Sequence, residues 1–189
     1  MPATATLPIR ITYEDFQTFP DDGRRYELID GEVFVFASPT LLHQMLLLEL
    51  ATLFRNAVTL KNLGLVMVAP FEVKFLGENA VQPDIVVVLR DRAGVLTQSG
   101  VRGTPSVLLE ILSPSTRTYD LTTKARLYAE QSVPEYWIVD ALAETITVHE
   151  LRDGRYVALA NDDGMVRSLV IPDLVVDVRA LFAAVRTSL

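Results

Sequence analysis

Three side chains in this sequence stand where their chemistry is out of place. Asp84 follows Pro83 at the head of the apolar run Ile85-Val86-Val87-Val88-Leu89, and Glu110 interrupts Val107-Leu108-Leu109-Glu110-Ile111-Leu112. An ionised carboxylate inside an apolar strand is costly unless it is paired or holds a cation. Lys124 follows on the next helical stretch. Two carboxylates a few ångströms apart repel, and one keeps its proton unless a cation stands between them. Hard oxygen ligands select Mg²⁺ or Mn²⁺, ions that retain several waters. Such an ion orients a water, lowers its pKa and stabilises charge on a phosphoryl oxygen. The lysine would position that water, stabilise the phosphate, or take the water's proton, the last only with a depressed pKa. Taken singly, each residue has a plainer reading: a turn cap for Asp84, a buried structural bridge for Glu110, a solvated helix position for Lys124. Their succession on strand, strand and helix favours a shared site, provided the two strands are neighbours with aligned faces; sequential strands pair roughly two-thirds of the time.

The elements that must position these groups are legible in order. The expectation is one domain over residues 1–189, with a flexible tail over residues 1–11. Thr12, with Asp15 three residues on, predicts a helix start. Two alternating runs, Arg25–Ile29 and Glu32–Phe36, flank Asp30-Gly31, the signature of a two-residue type I′ hairpin. That register puts Glu27 opposite Phe34 and Ile29 opposite Glu32, so Glu27 and Glu32 share a face, where solvent exposure would explain either one. Residues 41–60 are apolar at helical spacing, and His43 in the first turn is either a polar helix-start residue or a phosphate contact or proton carrier. Strands are expected over residues 65–75 (with Pro70 as a bulge or edge), 81–89 and 105–112. The branched run after Asp84 predicts burial on both faces, under helices. Residues 91–103 read as a loop with a short helical piece. Residues 119–131 carry Leu121, Lys124, Ala125 and Tyr128 on one helical stripe. A strand follows at Glu135–Asp140, parallel to its neighbour because a helix precedes it. A second hairpin surrounds Asp153-Gly154, with a strand over residues 166–171 and a terminal helix capped by Asp177.

Composition narrows the function classes. Half of the 189 residues are hydrophobic and the mean hydropathy is +0.28, which excludes a disordered chain. No apolar run reaches the ~20 residues of a membrane span, and the first residues carry no secretion signal. The chain has no cysteine, which excludes disulfides, thiolate metal sites and a Cys nucleophile and fits a cytoplasmic protein. A net charge of −7 argues against a broad basic face for nucleic acid; Arg90, Arg92, Arg102, Arg117 and Arg126 would have to supply a local one. The apolar C-terminal third is the expected surface of a homodimer.

Several stretches carry a family likeness: Tyr26-Glu27-Leu28-Ile29-Asp30-Gly31-Glu32, His43-Gln44, Gln82-Pro83-Asp84, Glu110-Ile111-Leu112-Ser113-Pro114-Ser115-Thr116, the Asp120–Lys124–Tyr128 helix, and Pro134-Glu135-Tyr136-Trp137-Ile138-Val139-Asp140. Together they resemble the Uma family of bacterial proteins, in the PD-(D/E)xK superfamily, over residues 13–182. The resemblance implies an α/β (α+β) restriction-endonuclease-like core, with a central mixed β-sheet flanked by helices and β-hairpins near both ends. It implies Mg²⁺-dependent (or Mn²⁺-dependent) phosphodiester hydrolysis, with nucleic acid, most of all DNA, as partner. Asp84 is then the first acid of the motif and Glu110 the second. The usual lysine position, two residues after the second acid, holds Leu112, and Lys124 resembles a relocated lysine. Glu32 would be the additional acid near the metal, with Glu27 as its alternative, and His43 and Tyr128 would be secondary contacts. The other class of function is a catalytically silent interaction or regulatory protein that keeps the nuclease fold.

Overall fold

The structure, a computed structural model, describes residues 10–114 and 116–187; the expected tail lies largely outside them. Thr12 and Asp15 form a capping box that starts α1 (Tyr13–Phe16). Asp30 and Gly31, both at positive φ (51° and 76°), close β1 (Arg25–Ile29) on β2 (Glu32–Phe36) in the expected register. The Thr40 hydroxyl accepts a hydrogen bond from the His43 amide and opens α2 (Leu41–Ala57).

The next two stretches differ from expectation. Each, anticipated as one strand, is two strands in different sheets: β3 (Gly64–Val68) with β4 (Glu72–Lys74), and β5 (Ala80–Val81) with β6 (Ile85–Leu89). Pro70 and Pro83 stand at the breaks, where the missing N–H ends the ladder. After a 3₁₀ turn at Arg90–Val95, the presumed loop contains β7 (Leu96–Thr97) and β8 (Gly100–Arg102). Then come β9 (Val107–Leu112), α3 (Arg117–Tyr119), a π turn (Asp120–Lys124) and α4 (Ala125–Glu130). This helical passage returns the chain to β10 (Glu135–Asp140), parallel to β9. The second hairpin is β11 (Thr145–Arg152) and β12 (Arg155–Ala158). The strand expected to reach Ile171 is shorter: β13 (Met165–Arg167) pairs with β14 (Val175–Asp177). Asp177 accepts from the Ala180 amide at 2.9 Å and caps α5 (Val178–Thr187).

The central mixed sheet runs β12-β11-β10-β9-β6-β3, and a second sheet runs β2-β1-β5-β4-β8-β7. Alternation along β6 and β9 divides the core in two. Ile85, Val87 and Leu109 pack under α2 and α5 with Leu50, Phe54 and Phe182. Val86, Val88 and Leu108 face the other way, toward Leu127 and Tyr128 and toward Val73, Val81 and Val101 of the second sheet. Both faces are buried, as expected, but one of them lies under a sheet and a short helix rather than under helices alone. Among the described residues no helix is long and apolar enough to cross a membrane. Exposed large apolar side chains lie in both halves, Leu41, Leu48 and Leu65 as well as Leu142 and Leu169, so they do not set the C-terminal third apart.

Gly64 holds β3 against β6, the strand that leads out of Asp84. A Cβ at Gly64 would meet the Val88 carbonyl oxygen at 2.3 Å, and backbone cannot swing aside as a side chain can. Gly64→Ala is therefore expected to cost about 1–3 kcal/mol, read as a lower denaturant midpoint with an unchanged slope.

Candidate active site

The register of β6 against β9 places Ile85 opposite Leu109. One step further, where the chain crosses from one sheet to the other, Asp84 stands opposite Glu110 on the same face. The Ile111 amide donates to Asp84 Oδ2 at 2.8 Å, and His43 Nε2 lies 3.2 Å from the same oxygen. Arg25 reaches Asp84 Oδ1 at 3.3 Å and Glu27 Oε1 at 3.2 Å. Lys124 Nζ donates to Glu110 Oε1 at 2.9 Å, and Tyr128 donates to that oxygen at 2.7 Å. The same ammonium lies 3.0 Å from Glu27 Oε2 and 3.5 Å from Asp120 Oδ1. These last two oxygens are buried and receive no aligned hydrogen bond; Lys124 donates instead to the other Glu27 oxygen, Oε1, at 3.1 Å.

The acids and the lysine are buried: Glu27 and Lys124 fully, while Asp84 and Glu110 keep 2% and 1% of their surface. Four carboxylates, Glu27, Asp84, Glu110 and Asp120, face two permanent cations, Arg25 and Lys124. With every acid ionised, two negative charges are left unmatched. Burial pushes the Asp84 carboxyl up, but the His43 hydrogen bond, the His43 and Arg25 charges and the Ile111 amide outweigh it and hold it below the usual carboxylate range. Glu110 goes the other way. Burial, opposed by Lys124 and reinforced by Asp120, Asp84 and Glu27, pushes it up to about 8. Burial alone would push Lys124 down; Glu110, Glu27 and Asp120 reverse that and raise it, so it stays an ammonium. Burial and the adjacent Glu110 charge hold the Tyr128 hydroxyl well above the usual phenol range, which keeps it a donor.

Asp84, Glu110, Asp120 and Arg25 line one cleft of about 660 Å³, together with His43 and Gln44 from the first turn of α2. Lys124, Glu27 and Tyr128 lie behind that wall. Both ends of the π turn belong to the cluster: Asp120 opens it and lines the cleft, and Lys124 closes it fully buried. A lysine so placed reaches neither water nor substrate directly. It fixes Glu110, and its raised pKa removes it as a base.

Of the sequence-predicted residues, the structure brings together Asp84, Glu110, Lys124, Glu27, His43 and Tyr128. It does not bring Glu32, expected as the additional acid. Glu32 is exposed at the turn end of the edge strand β2, two positions beyond the part of the shared face that the helical passage covers; Glu27 takes the buried place. The five arginines expected to form a basic groove do not gather there. Arg102 is bound to Glu72 at 2.7 Å, Arg126 to Asp30 at 2.6 Å, and Arg117 pairs with Asp140. Arg90 and Arg92 follow the far end of β6 from Asp84. Two members were missed. Arg25 shares the face of Glu27 by strand alternation, and Asp120 stands one helical turn before Lys124; both spacings were available as signals.

Among the described residues no three His, Asp or Glu side chains stand close enough to hold a metal by themselves. The donor set still fits a hydrated hard cation. Mg²⁺ is commonly held through one or two carboxylates, the remaining positions going to water and substrate phosphate. Asp84 and Glu110 face one cleft, and Asp120, one of whose oxygens receives no hydrogen bond, shares that lining.

Residues 13–179 match the Uma2 family, described as "Putative restriction endonuclease". The chain belongs to the Uma2 family. A relative from Synechocystis sp., "Uncharacterized protein slr1290", is 28% identical over 156 residues, covering 79% of this chain and 80% of that protein. The crystal structure of a "putative nuclease belonging to DUF820" from Anabaena variabilis superposes with a TM-score of 0.78 at 19% identity, covering 93% of this chain and 99% of that one. At that identity the likeness concerns the fold, which is the mixed α+β core with flanking helices anticipated for an Uma2 protein.

Proposed function

We propose that this Uma2 protein is a metal-dependent nuclease that hydrolyses phosphodiester bonds in DNA, with Asp84 and Glu110 holding Mg²⁺ or Mn²⁺. The observation that carries this reading is the cross-strand pair itself: two buried carboxylates facing one cleft, Asp84 held ionised and Glu110 keeping its proton to about 8 where, among the described residues, no further cation stands beside it. When bound, the ion lowers the pKa of water and stabilises charge on a phosphoryl oxygen. The residues do the rest. Ile111 and His43 aim Asp84, and Lys124 and Tyr128 both bond one oxygen of Glu110, fixing how it faces the cleft. Arg25, between Glu27 and Asp84, is the cation best placed to meet a phosphate. Hydrolysis adds hydroxyl to phosphorus and breaks one P–O ester bond, and the proton ends on the leaving sugar oxygen. Lys124 acts as a positioning residue, not as the base the sequence left open.

The test is a calorimetric Mn²⁺ titration beside a plasmid-nicking assay, on the parent chain and on Asp84→Asn and Glu110→Gln. The parent is expected to bind saturably. Each variant is expected to lose more than the ten- to hundredfold that removing a mere supporting partner costs, and to lower cleavage by a factor on the order of 10³. No saturable binding by a folded parent would sink the reading. A silent nuclease-fold interaction protein would then remain, a reading that the pI near 4.8 favours.

A further inference from the structure

Resting on that reading, we infer that the cleft takes an unpaired strand of DNA, so that this protein cuts single-stranded or locally opened DNA in preference to a perfect duplex. The acids form the floor, not the rim: Asp84 and Glu110 expose almost nothing, so a scissile phosphate has to enter the cleft to reach them. The volume, about 660 Å³, is that of a small-ligand pocket, fit for a nucleotide or two and not for a double helix. The walls are closed on several sides by the first turn of α2, by Ala69-Pro70, by the end of β2 at Phe36 and by Pro114.

Charge points the same way. Duplex DNA carries one negative charge per ~1.7 Å of axis and is held by many cations along its length. Among the described cleft residues the permanent cations are Arg24 and Arg25 alone. Arg24 is paired with Asp22 at 3.4 Å, and Arg25 with Glu27 and Asp84. Asp21 adds a negative charge to the lining. A duplex laid across this rim would meet little attraction. A single strand entering end-on or as a loop needs only one or two phosphate contacts, and Arg25 is placed to make one.

The cleft also offers what an unpaired base requires. Phe36 lines it half-buried. Tyr119 supports its ring at 5.3 Å between centroids, and the Arg25 guanidinium lies 5.1 Å from its centre. An aromatic face beside a cation is the usual platform for sequence-tolerant stacking of single-stranded bases.

The experiment uses the full chain with Mn²⁺ and one end-labelled deoxyoligonucleotide presented three ways: alone, in a perfect duplex, and in a duplex with a central unpaired bulge. Asp84→Asn is the control for contaminating nuclease. The free and bulged strands are expected to be cut at least about tenfold faster than the perfect duplex, the least that unpairing a base costs. Binding, followed by fluorescence anisotropy, should favour the free strand with a shallow salt dependence, a log–log slope of about −0.7 to −1.4 for one or two phosphates. Phe36→Leu, which keeps bulk and loses the ring, is expected to weaken single-strand binding about tenfold. Cleavage of the perfect duplex at an equal or higher rate overturns this inference and leaves the hydrolytic reading standing. Single-strand binding without any cleavage upholds the cleft's choice of an unpaired strand but sinks hydrolysis, and the preference in cutting with it. Neither cleavage nor a binding preference sinks both.

Discussion

Replacing Lys124 with methionine is expected to lower stability by about 3–5 kcal/mol, the usual consequence of removing one partner from a buried ion pair. Methionine fills the space of the lysine stem, so lost packing is not the cause. The ammonium is the shared partner of Glu110 at 2.9 Å, Glu27 at 3.0 Å and Asp120 at 3.5 Å, in a site closed to water. Without it, Glu27 keeps Arg25 and the Gln82 amide, Glu110 keeps only the neutral Tyr128 hydroxyl, and among the described residues no other cation pairs with Glu110 or Asp120. The acids must then take up protons or draw in water, and each costs folding free energy. For a chain of this size each kcal/mol moves the thermal midpoint by about 2–4 °C, so the loss is on the order of 10 °C. Charge, and not packing, is what the variant loses, and a second substitution shows it. Adding Glu27→Gln to Lys124→Met removes one orphaned acid and leaves an oxygen to accept from the Gln82 amide, which reaches Glu27 at 3.1 Å. The double variant is expected to recover about 1 kcal/mol or more relative to Lys124→Met, although Glu27→Gln alone weakens the protein. A double variant no more stable than Lys124→Met would mean that the ammonium contributes packing only.

The same cluster shows what a sequence discloses and where it stops. Asp84 and Glu110 were legible because each breaks a strong local pattern, and Lys124 only by its succession after them. A carboxylate in an aliphatic run announces that something elsewhere must compensate for it. The hairpin was legible down to its register because Asp30-Gly31 leaves little freedom in how the strands meet. That register could not choose between Glu27 and Glu32, since they share a face. What separates them is the helical passage crossing from Arg117 to Glu130, a contact nearly a hundred residues away that periodicity does not encode. Pro70 was readable as a bulge or edge and Pro83 only as a residue near a strand start, neither as a point where two successive strands leave one sheet for the other. The transfer depends on how the second sheet packs over the first core. Asp120 hid for a different reason: an acid four residues before a lysine is the commonest surface pairing on a helix, and nothing local says that this one is buried. Arg25 was overlooked beside the more conspicuous glutamate on its face.

The metal-free protein is expected to lose stability as pH rises from about 5 to about 8, and a divalent cation is expected to restore it. Unfolded, Glu110 gives up its proton near the ordinary value of 4.5; folded, it keeps it to about 8. Between those values the unfolded chain binds fewer protons than the folded one, so the free energy of unfolding falls with rising pH. The contribution is whole below about pH 4.5 and gone above about pH 8. Asp84, shifted downward by His43, Arg25 and the Ile111 amide, acts with the opposite sign, and its share is lost only as pH falls through the acid range. The two acids therefore report in separate windows. A cation at Asp84 and Glu110 does for the folded state what the proton on Glu110 does, so metal and proton compete. Saturating Mn²⁺ is accordingly expected to raise the thermal midpoint more at about pH 8.5 than at about pH 6. Glu110→Gln carries a neutral group at every pH and isolates this contribution from the rest of the protein. Its midpoint is expected to fall less than the parent's across the same window and to ignore Mn²⁺. If the parent's midpoint instead rises from about pH 5 to about pH 8, or if Glu110→Gln follows the parent, Glu110 is not the acid that holds the proton, and the exchange of proton for metal at this pair has no basis.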